Sequence, residues 1–270
     1  MSGYVTHAAR ASGAFATVRA MAITATVFEG TSFHFARAPL ARLGAESRAR
    51  FQAATPFAHA VFDDFLGEAL SLRLARAFPR PDHPGWMRRD YHEQRARLGQ
   101  LQRTGFEGVE PLLRQLLAEL SGMAFLDFLS SLTGLTGLIA DPHFRGAGPS
   151  ATLRGGHLAL HADFNRDRTR HLARALTVLY YLPLDWDSSW GGELELWDRD
   201  RTRCAVSIAP TRDRLVVMAH GDTFWHGHPS PLACPDDRFR ASVAAYFYRA
   251  APTAEDDEAH GAIWATPEGP

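Results

Sequence analysis

Apolar residues return at every fourth position in Leu66, Leu70, Leu74 and Phe78, and Pro79 follows them. That period predicts an amphipathic helix with a proline stop. Asp63 and Asp64 stand just before it, where a helix N-cap is expected. Pro111 opens a second stretch in which Leu112, Leu113, Leu116, Leu117 and Leu120 form one apolar stripe, and Gly122 breaks it. Phe125, Leu126, Leu129 and Leu132 predict a third helix, closed by Gly134. Further upstream the chain is rich in Ala and Arg, and only residues 38–52 read as helical. Phe57 to Phe62 reads as a short strand.

Beyond Gly134 the period shortens. Segments 157–163, 174–182, 192–197, 204–209, 214–219 and 240–248 are short, β-branched or aromatic, and bounded by Gly, Pro or Asp. Strands at this spacing predict a sandwich or barrel. Helices first and strands later give a mainly β fold with flanking helices, an α+β chain whose jelly-roll core is buttressed on one side. The expected organisation is one domain over 51–250, helical in 51–135 and jelly roll in 136–250. Residues 1–50 are expected to be a partly disordered leader, and the acidic, Pro-bearing 251–270 a flexible tail.

Composition narrows the function. The chain has 270 residues, 46% of them hydrophobic, enough for a sizeable core. Net charge is −1, which predicts neither a nucleic-acid nor an anionic-membrane surface. No apolar run approaches the roughly 18 residues of a membrane span. All 29 basic residues are arginine. Schiff-base and Walker-type lysine chemistry are therefore excluded. Cys204 and Cys234 stand far apart and outside any C-x-x-C pattern, so reduced thiols and a cytoplasmic location are expected.

The candidate chemistry lies in the strand region. Residues two apart on a strand share a face, which would put His157, His161 and Asp163 on one side and Leu158, Leu160, Ala162 and Phe164 on the other. A polar inward face is costly unless it binds something. Later, His220, Asp222, His226 and His228 cluster around a glycine-containing turn. Chemistry alone does not separate His226 from His228, and Asp222 is a candidate to orient an imidazole. Two imidazoles and a carboxylate can occupy one face of Fe(II) and leave the other open for a co-substrate and O2. In Arg240-Ala-Ser242-Val-Ala244-Ala-Tyr246-Phe-Tyr248 the even positions are polar or small. Arg240 would then face the metal and could fix the carboxylate of a 2-oxo acid, with Tyr180 or Tyr181 in support. Two rival readings use the same residues. One is a zinc-dependent hydrolase with the His/Asp/His set as ligands. The other is a non-catalytic jelly-roll binding module. Trp86–Gln100 and Asp141–Gly148 are expected at the entrance, where their arginines face solvent or meet a carboxylate-bearing substrate.

Several segments occur together in one order: Gly155–Asn165 (GGHLALHADFN), Leu176–Pro183 (LTVLYYLP), Gly191–Trp197 (GGELELW), Phe224–Pro229 (FWHGHP) and Arg240-Ala-Ser242. Together they resemble the catalytic core of the Fe(II)/2-oxoglutarate dioxygenases of the prolyl 4-hydroxylase type. Phe57–Leu66 (FAHAVFDDFL) is similar to the entry strand and helix of bacterial members. The resemblance spans about residues 51–250. It implies a double-stranded β-helix, with N-terminal helices packed on one sheet. It implies His161, Asp163 and His226 as iron ligands, with His228 outside the ligand set. It implies Arg240 as the partner of the 2-oxoglutarate C5 carboxylate, Tyr181 as its helper and Leu194 in the wall of the co-substrate slot. The activity implied is hydroxylation of a C–H bond, with release of succinate and CO2. O2 and 2-oxoglutarate would be partners, ascorbate a possible reductant, and a prolyl, peptidyl or small-molecule compound the substrate. A carboxylate at Asp163 argues against a halogenase variant, which needs that position vacated. The distal turn, His-Gly-His-Pro followed by Ser-Pro-Leu-Ala-Cys-Pro, is longer than in the well-known peptidyl hydroxylases.

Overall fold

The computed structural model describes residues 17–19, 25–27, 32–141, 143–251 and 259–265. The N-terminal part holds strands β1 (Val18–Arg19), β2 (Ala25–Val27) and β3 (Phe33–Phe35), helix α1 (Arg37–Ala53), β4 (His59–Asp63) and α2 (Glu68–Arg76). Next come a hairpin of β5 (Met87–Arg89) and β6 (Gln94–Gly99), then α3 (Pro111–Ser121) and α4 (Met123–Thr133). The rest is strand: β7 (Ile139–Ala140), β8 (Gly148–Ala162), β9 (Arg166–Asp167), β10 (Leu172–Tyr181), β11 (Leu194–Trp197) and β12 (Cys204–Ile208). It ends with β13 (Arg214–Ala219), β14 (His226–His228), β15 (Arg240–Ala250) and β16 (Ile263–Trp264).

The main sheet runs β1-β4-β13-β10-β15-β8-β14-β11-β12 and is antiparallel except where β1 meets β4. It curls over at β8. The first part of β8 pairs with β15, and its end pairs with β14. The corner falls at Gly155 and Gly156. Gly155 has a φ of +70°, and a Cβ on Gly156 would come within 2.8 Å of backbone oxygens of Arg95 and Leu153. A strand that changes sheets at such a bend makes the corner of a jelly roll.

Strand alternation then divides the molecule into two sides. On β10, Leu176, Val178 and Tyr180 pack into the larger core with Phe62, Phe65, Phe125 and Phe128, under the helices. Tyr181 lies in a second core with Leu194, Leu196 and Val216, between the two halves of the roll. On β15, Ala241, Val243, Ala245 and Phe247 join the helix-side core, whereas Arg240, Ser242, Ala244 and Tyr246 line the interior cavity, Ala244 and Tyr246 also touching that core. The expected alternation of this strand is therefore observed. Burying each such Leu or Phe is worth about 1.5–3 kcal/mol, so the helix-side core anchors the sheet rigidly.

Four expectations need correction. The ordered core begins before residue 51: Phe33 and Phe35 are buried, and α1 buries Leu40, Gly44, Ser47 and Phe51 while packing along α4. The earlier part of the expected leader lies mostly outside the described residues. The tail is not uniformly free either, because β16 pairs with β8 at Ala162 and His161; residues 252–258 and 266–270 lie outside the description. Asp63 and Asp64 do not cap α2. Asp63 ends β4 and takes Nε and Nη2 of Arg214 at 2.6 and 3.0 Å, Asp64 sits at φ +53°, and Gly67 precedes the helix. Finally, Trp86–Gln100 is more than an entrance segment, since β6 pairs with β8 and adds a strand to the roll. Cys204 and Cys234 are not joined in a disulfide. Among the described residues no single helix is long and apolar enough to cross a membrane.

Candidate metal centre and cavity

The end of β8 and the start of β14 lie side by side, with His226 opposite His161. His228, two residues on, is opposite Leu158, three residues back. One extra residue therefore sits on β8, a β-bulge that re-aims the strand next to the site. It also overturns a simple alternation. His157 does not share the face of His161; its Nε2 meets the carbonyl of His92 at 3.0 Å on the outer side. His161 and Asp163 face inward together.

His161, Asp163 and His226 each offer a ligand atom, all within 4.8 Å of one another, and all three are buried. His161 Nδ1 lies 2.9 Å from the carbonyl of Ala159, and His226 Nδ1 lies 2.9 Å from that of Phe224. A carbonyl only accepts, so each Nδ1 carries the hydrogen and each Nε2 keeps its lone pair. Both Nε2 atoms converge on Asp163, each 3.6 Å from one of its oxygens. Two neutral imidazoles and one carboxylate in this arrangement fit a divalent metal of the Fe(II) type. His226 is held down to about 4, by burial and then by His161 beside it. Burial would raise the Asp163 carboxyl, yet Arg174, then His226 and His161, hold it well below the usual range. His226 and Asp163 are thus in their metal-binding protonation states at neutral pH.

Asp163 is itself held in place. Its Oδ2 accepts from Arg174 Nη2 at 2.8 Å and from Thr177 Oγ1 at 3.1 Å, leaving Oδ1 the freer oxygen. Arg174 is buried between aromatic faces, 3.4 Å from the ring centre of Tyr246 and 4.5 Å from that of Phe164. The sequence reading missed Arg174 and Thr177. The available signal was one arginine inside the apolar strand Leu172–Tyr181, which asks for a buried partner. Asp222 does not orient a ligand imidazole; it is largely exposed and bonds His260 Nε2 at 3.1 Å. Trp264 packs on His161 at 5.1 Å between ring centres, so the short tail strand covers one side of the site.

Arg240 lies deeper in the same cavity. Its Nε donates to the carbonyl of Gly192 at 2.6 Å and its Nη2 to Tyr181 Oη at 2.9 Å. Gly192, at φ +81°, permits this approach, because a Cβ there would meet Leu232 at 2.7 Å and Arg240 at 3.2 Å. Burial raises the Tyr181 pKa, so its hydroxyl keeps its proton and can donate it to an anion beside Arg240. Leu194 lines the cavity, which measures about 290 Å³ and is walled by His161, Asp163, His226 and Arg240. The remaining N–H groups of Arg240 are available to a carboxylate. His228 is not a turn residue; it is buried on β14, lines this cavity and meets Thr152 Oγ1 at 3.5 Å. Tyr180, by contrast, points into the helix-side core and donates to Asp213 at 2.7 Å.

The buried histidines make the metal-free protein sensitive to acid. His220 and His226 are both held down to about 4, in each case chiefly by burial, and His228 lies well below its ordinary value. In the unfolded chain these groups titrate near 6.5. As pH falls from about 6.5 towards 4, the unfolded state takes protons first, and stability is lost across that window. Each of the two histidines at about 4 contributes up to roughly 3 kcal/mol to this loss. Asp213, pushed up to about 6 by burial, acts with the opposite sign but is a single group. The thermal midpoint of metal-free protein is expected to fall steeply between pH 6.5 and 4. A flat or rising midpoint would contradict neutral histidines in the fold.

Residues 149–248 match the family model described as the 2OG-Fe(II) oxygenase superfamily. Among solved structures, the chain is similar to a prolyl hydroxylase from Trichoplax adhaerens, crystallised with a hypoxia inducible factor peptide fragment. That match has 18% identity and a TM-score of 0.52, and covers 77% of this chain and 90% of the other. A prolyl-4-hydroxylase from Pseudomonas putida matches at 19% identity and TM-score 0.52, covering 77% and 98%. A prolyl 4-hydroxylase from Phytophthora capsici matches at 16% identity and TM-score 0.52, covering 84% and 70%. These likenesses establish a shared fold. No curated protein matches the chain.

Proposed function

We propose, from the premise that residues 149–248 belong to the 2OG-Fe(II) oxygenase superfamily, that this oxygenase hydroxylates a C–H bond, with His161, Asp163 and His226 as iron ligands. The observation that carries the assignment is the convergence of three ligand atoms within 4.8 Å in a cavity that also holds Arg240. Bound Fe(II) with 2-oxoglutarate supplies the O2-dependent oxidation that yields succinate, CO2 and a hydroxylated product. The protein supplies placement. Arg240 and Tyr181 hold the far carboxylate of 2-oxoglutarate and so fix its distance from the metal ligands. Leu194 packs against the co-substrate. Arg174 and Thr177 pin the Asp163 carboxylate, and the Ala159 and Phe224 carbonyls pin the imidazoles. Trp264 shields His161 from the outer groove, which limits water at the reacting centre.

The zinc hydrolase alternative gives no role to Arg240 in the cavity wall or to Tyr181, whose hydroxyl meets it. The ligand assignment also separates two histidines that stand two residues apart. His226→Ala is expected to lose Fe(II) binding and succinate formation from 2-oxoglutarate. His228→Ala is expected to retain one bound metal per chain, read by metal analysis after gel filtration. Loss of metal in His228→Ala with retention in His226→Ala would overturn the assignment.

A further inference from the structure

The β5–β6 hairpin brings two arginines into the wall of the metal cavity. Arg89 and Arg97 are direct cross-strand partners, and both line the cavity that contains His161, Asp163, His226 and Arg240. Like charges opposed across two strands repel. Among the described residues the side chain that bridges them is neutral: Gln94 Oε1 accepts from Arg89 Nη1 at 3.2 Å and from Arg97 Nη1 at 3.4 Å. Neither arginine forms an ion pair among the described residues, and Arg97 Nε is buried without a hydrogen-bond partner.

The hairpin is shaped to place Arg97 there. Strand alternation would put Arg95 and Arg97 on one face, but the pairing with β8 shifts between them. Ala96 at the shift has a φ of +48°, a strained conformation for a residue with a Cβ. Its N–H is held by Asp90 Oδ1 at 2.7 Å. As a result Arg95 lines the outer groove of about 1600 Å³, while Arg97 lines the inner cavity. Strain and a bulge that re-aim one side chain into a cavity are typical of binding sites.

Among the described residues that line the cavity Asp163 is the only carboxylate, and Arg174 already meets it. The charges of Fe(II) and a 2-oxoglutarate dianion cancel. With both bound, Arg89, Arg97 and Arg240 still face the cavity, and the described residues supply no further acid there. Arg97 is pulled down to about 10 by burial and by the Arg240 and Arg89 charges near it, so an anion here would relieve a real repulsion.

We propose that Arg89 and Arg97 are the recognition site for a carboxylate on the substrate, so that the compound hydroxylated is a small carboxylic acid. This rests on the oxygenase reading above and names its substrate class. Two adjacent guanidinium groups match the fork of a carboxylate, and a cavity of about 290 Å³, shared with 2-oxoglutarate, leaves room for a small molecule.

The test uses zinc in place of iron and protein labelled with ¹⁵N in arginine, first free of 2-oxoglutarate and then saturated with it. The Nε–Hε signals of Arg240 and Arg97 are assigned from Arg240→Gln and Arg97→Gln. The Arg240 signal is expected to move on adding 2-oxoglutarate; if it does not, the co-substrate assignment fails, and with it the basis for this inference. Sodium acetate is then titrated against acetamide and inorganic phosphate. Acetate is expected to shift the Arg97 signal saturably, with acetamide at least tenfold weaker. Arg89→Gln is expected to weaken acetate at least tenfold, while 2-oxoglutarate affinity in Arg97→Gln stays within twofold of the parent. A non-saturating acetate response, or phosphate binding where acetate does not, would overturn the carboxylate assignment while leaving the oxygenase reading intact. A large loss of 2-oxoglutarate affinity in Arg97→Gln would overturn it too, since the pair would then serve the co-substrate.

Discussion

Asp163→Ala is expected to bind no Fe(II) at stoichiometric concentrations. Outer partners of metal ligands already cost 10–100-fold in affinity when removed, and Asp163 is proposed as a ligand, the only anionic one of three. The substitution has a second consequence, because Arg174 Nη2 lies 2.8 Å from Asp163 Oδ2 and its side chain is fully buried. Breaking such a pair from one side leaves an uncompensated buried charge, a loss of about 3–5 kcal/mol. Asp163→Ala is therefore expected both to lose metal and to melt at a lower temperature. His161→Ala leaves the Arg174–Asp163 pair intact, so it is expected to lose metal with a much smaller drop in melting temperature. Metal analysis and thermal unfolding of the two variants separate the effects. Equal melting temperatures would contradict the role given to Arg174, and retained iron in both would contradict the ligand set.

The second large effect concerns the co-substrate. Arg240→Ala is expected to weaken 2-oxoglutarate binding by two or more orders of magnitude, since losing one partner of a buried charged pair costs about 3–5 kcal/mol. Metal affinity should change little, because Arg240 bonds Gly192 and Tyr181 and not the ligands. Tyr181→Phe removes one hydrogen bond to a charged group, worth about 1.5–3 kcal/mol, and should give the smaller loss. Calorimetry of 2-oxoglutarate against zinc-substituted protein measures both. Parent-like affinity in Arg240→Ala would remove the anchor and reopen the zinc hydrolase reading.

The fold and part of the site were legible because their signals are periodic. Helices α3 and α4 carry leucine and phenylalanine stripes, and β15 puts Arg240, Ser242, Ala244 and Tyr246 in the cavity wall, so its inward face could be read directly. Elsewhere a local irregularity hid the answer. The bulge between Leu158 and His161 moved His157 to the outer side, which no period of two could foresee. Residues 38–52 read as helical and α1 forms at Arg37–Ala53, but its buried row of Leu40, Gly44, Ser47 and Phe51 carries no leucine stripe to announce its packing on α4. The β5–β6 hairpin reads as a charged surface because its stability comes from pairing with β8, not from apolar side chains of its own. Arg174 and Trp264 meet Asp163 and His161 only after the roll closes. The resemblance of the joined motifs, not their spacing, separated His226 from His228. The geometry agrees that His226, not His228, lies in the three-residue cluster.

The most direct measurement of the central claim is an anaerobic titration of the Fe(II)-loaded protein with 2-oxoglutarate, followed by visible absorption. Co-substrate bound to iron is expected to give a weak metal-to-ligand charge-transfer band that saturates at one equivalent per chain and is absent in Asp163→Ala. No band in the parent protein, or an unchanged band in Asp163→Ala, would contradict an iron site built from His161, Asp163 and His226.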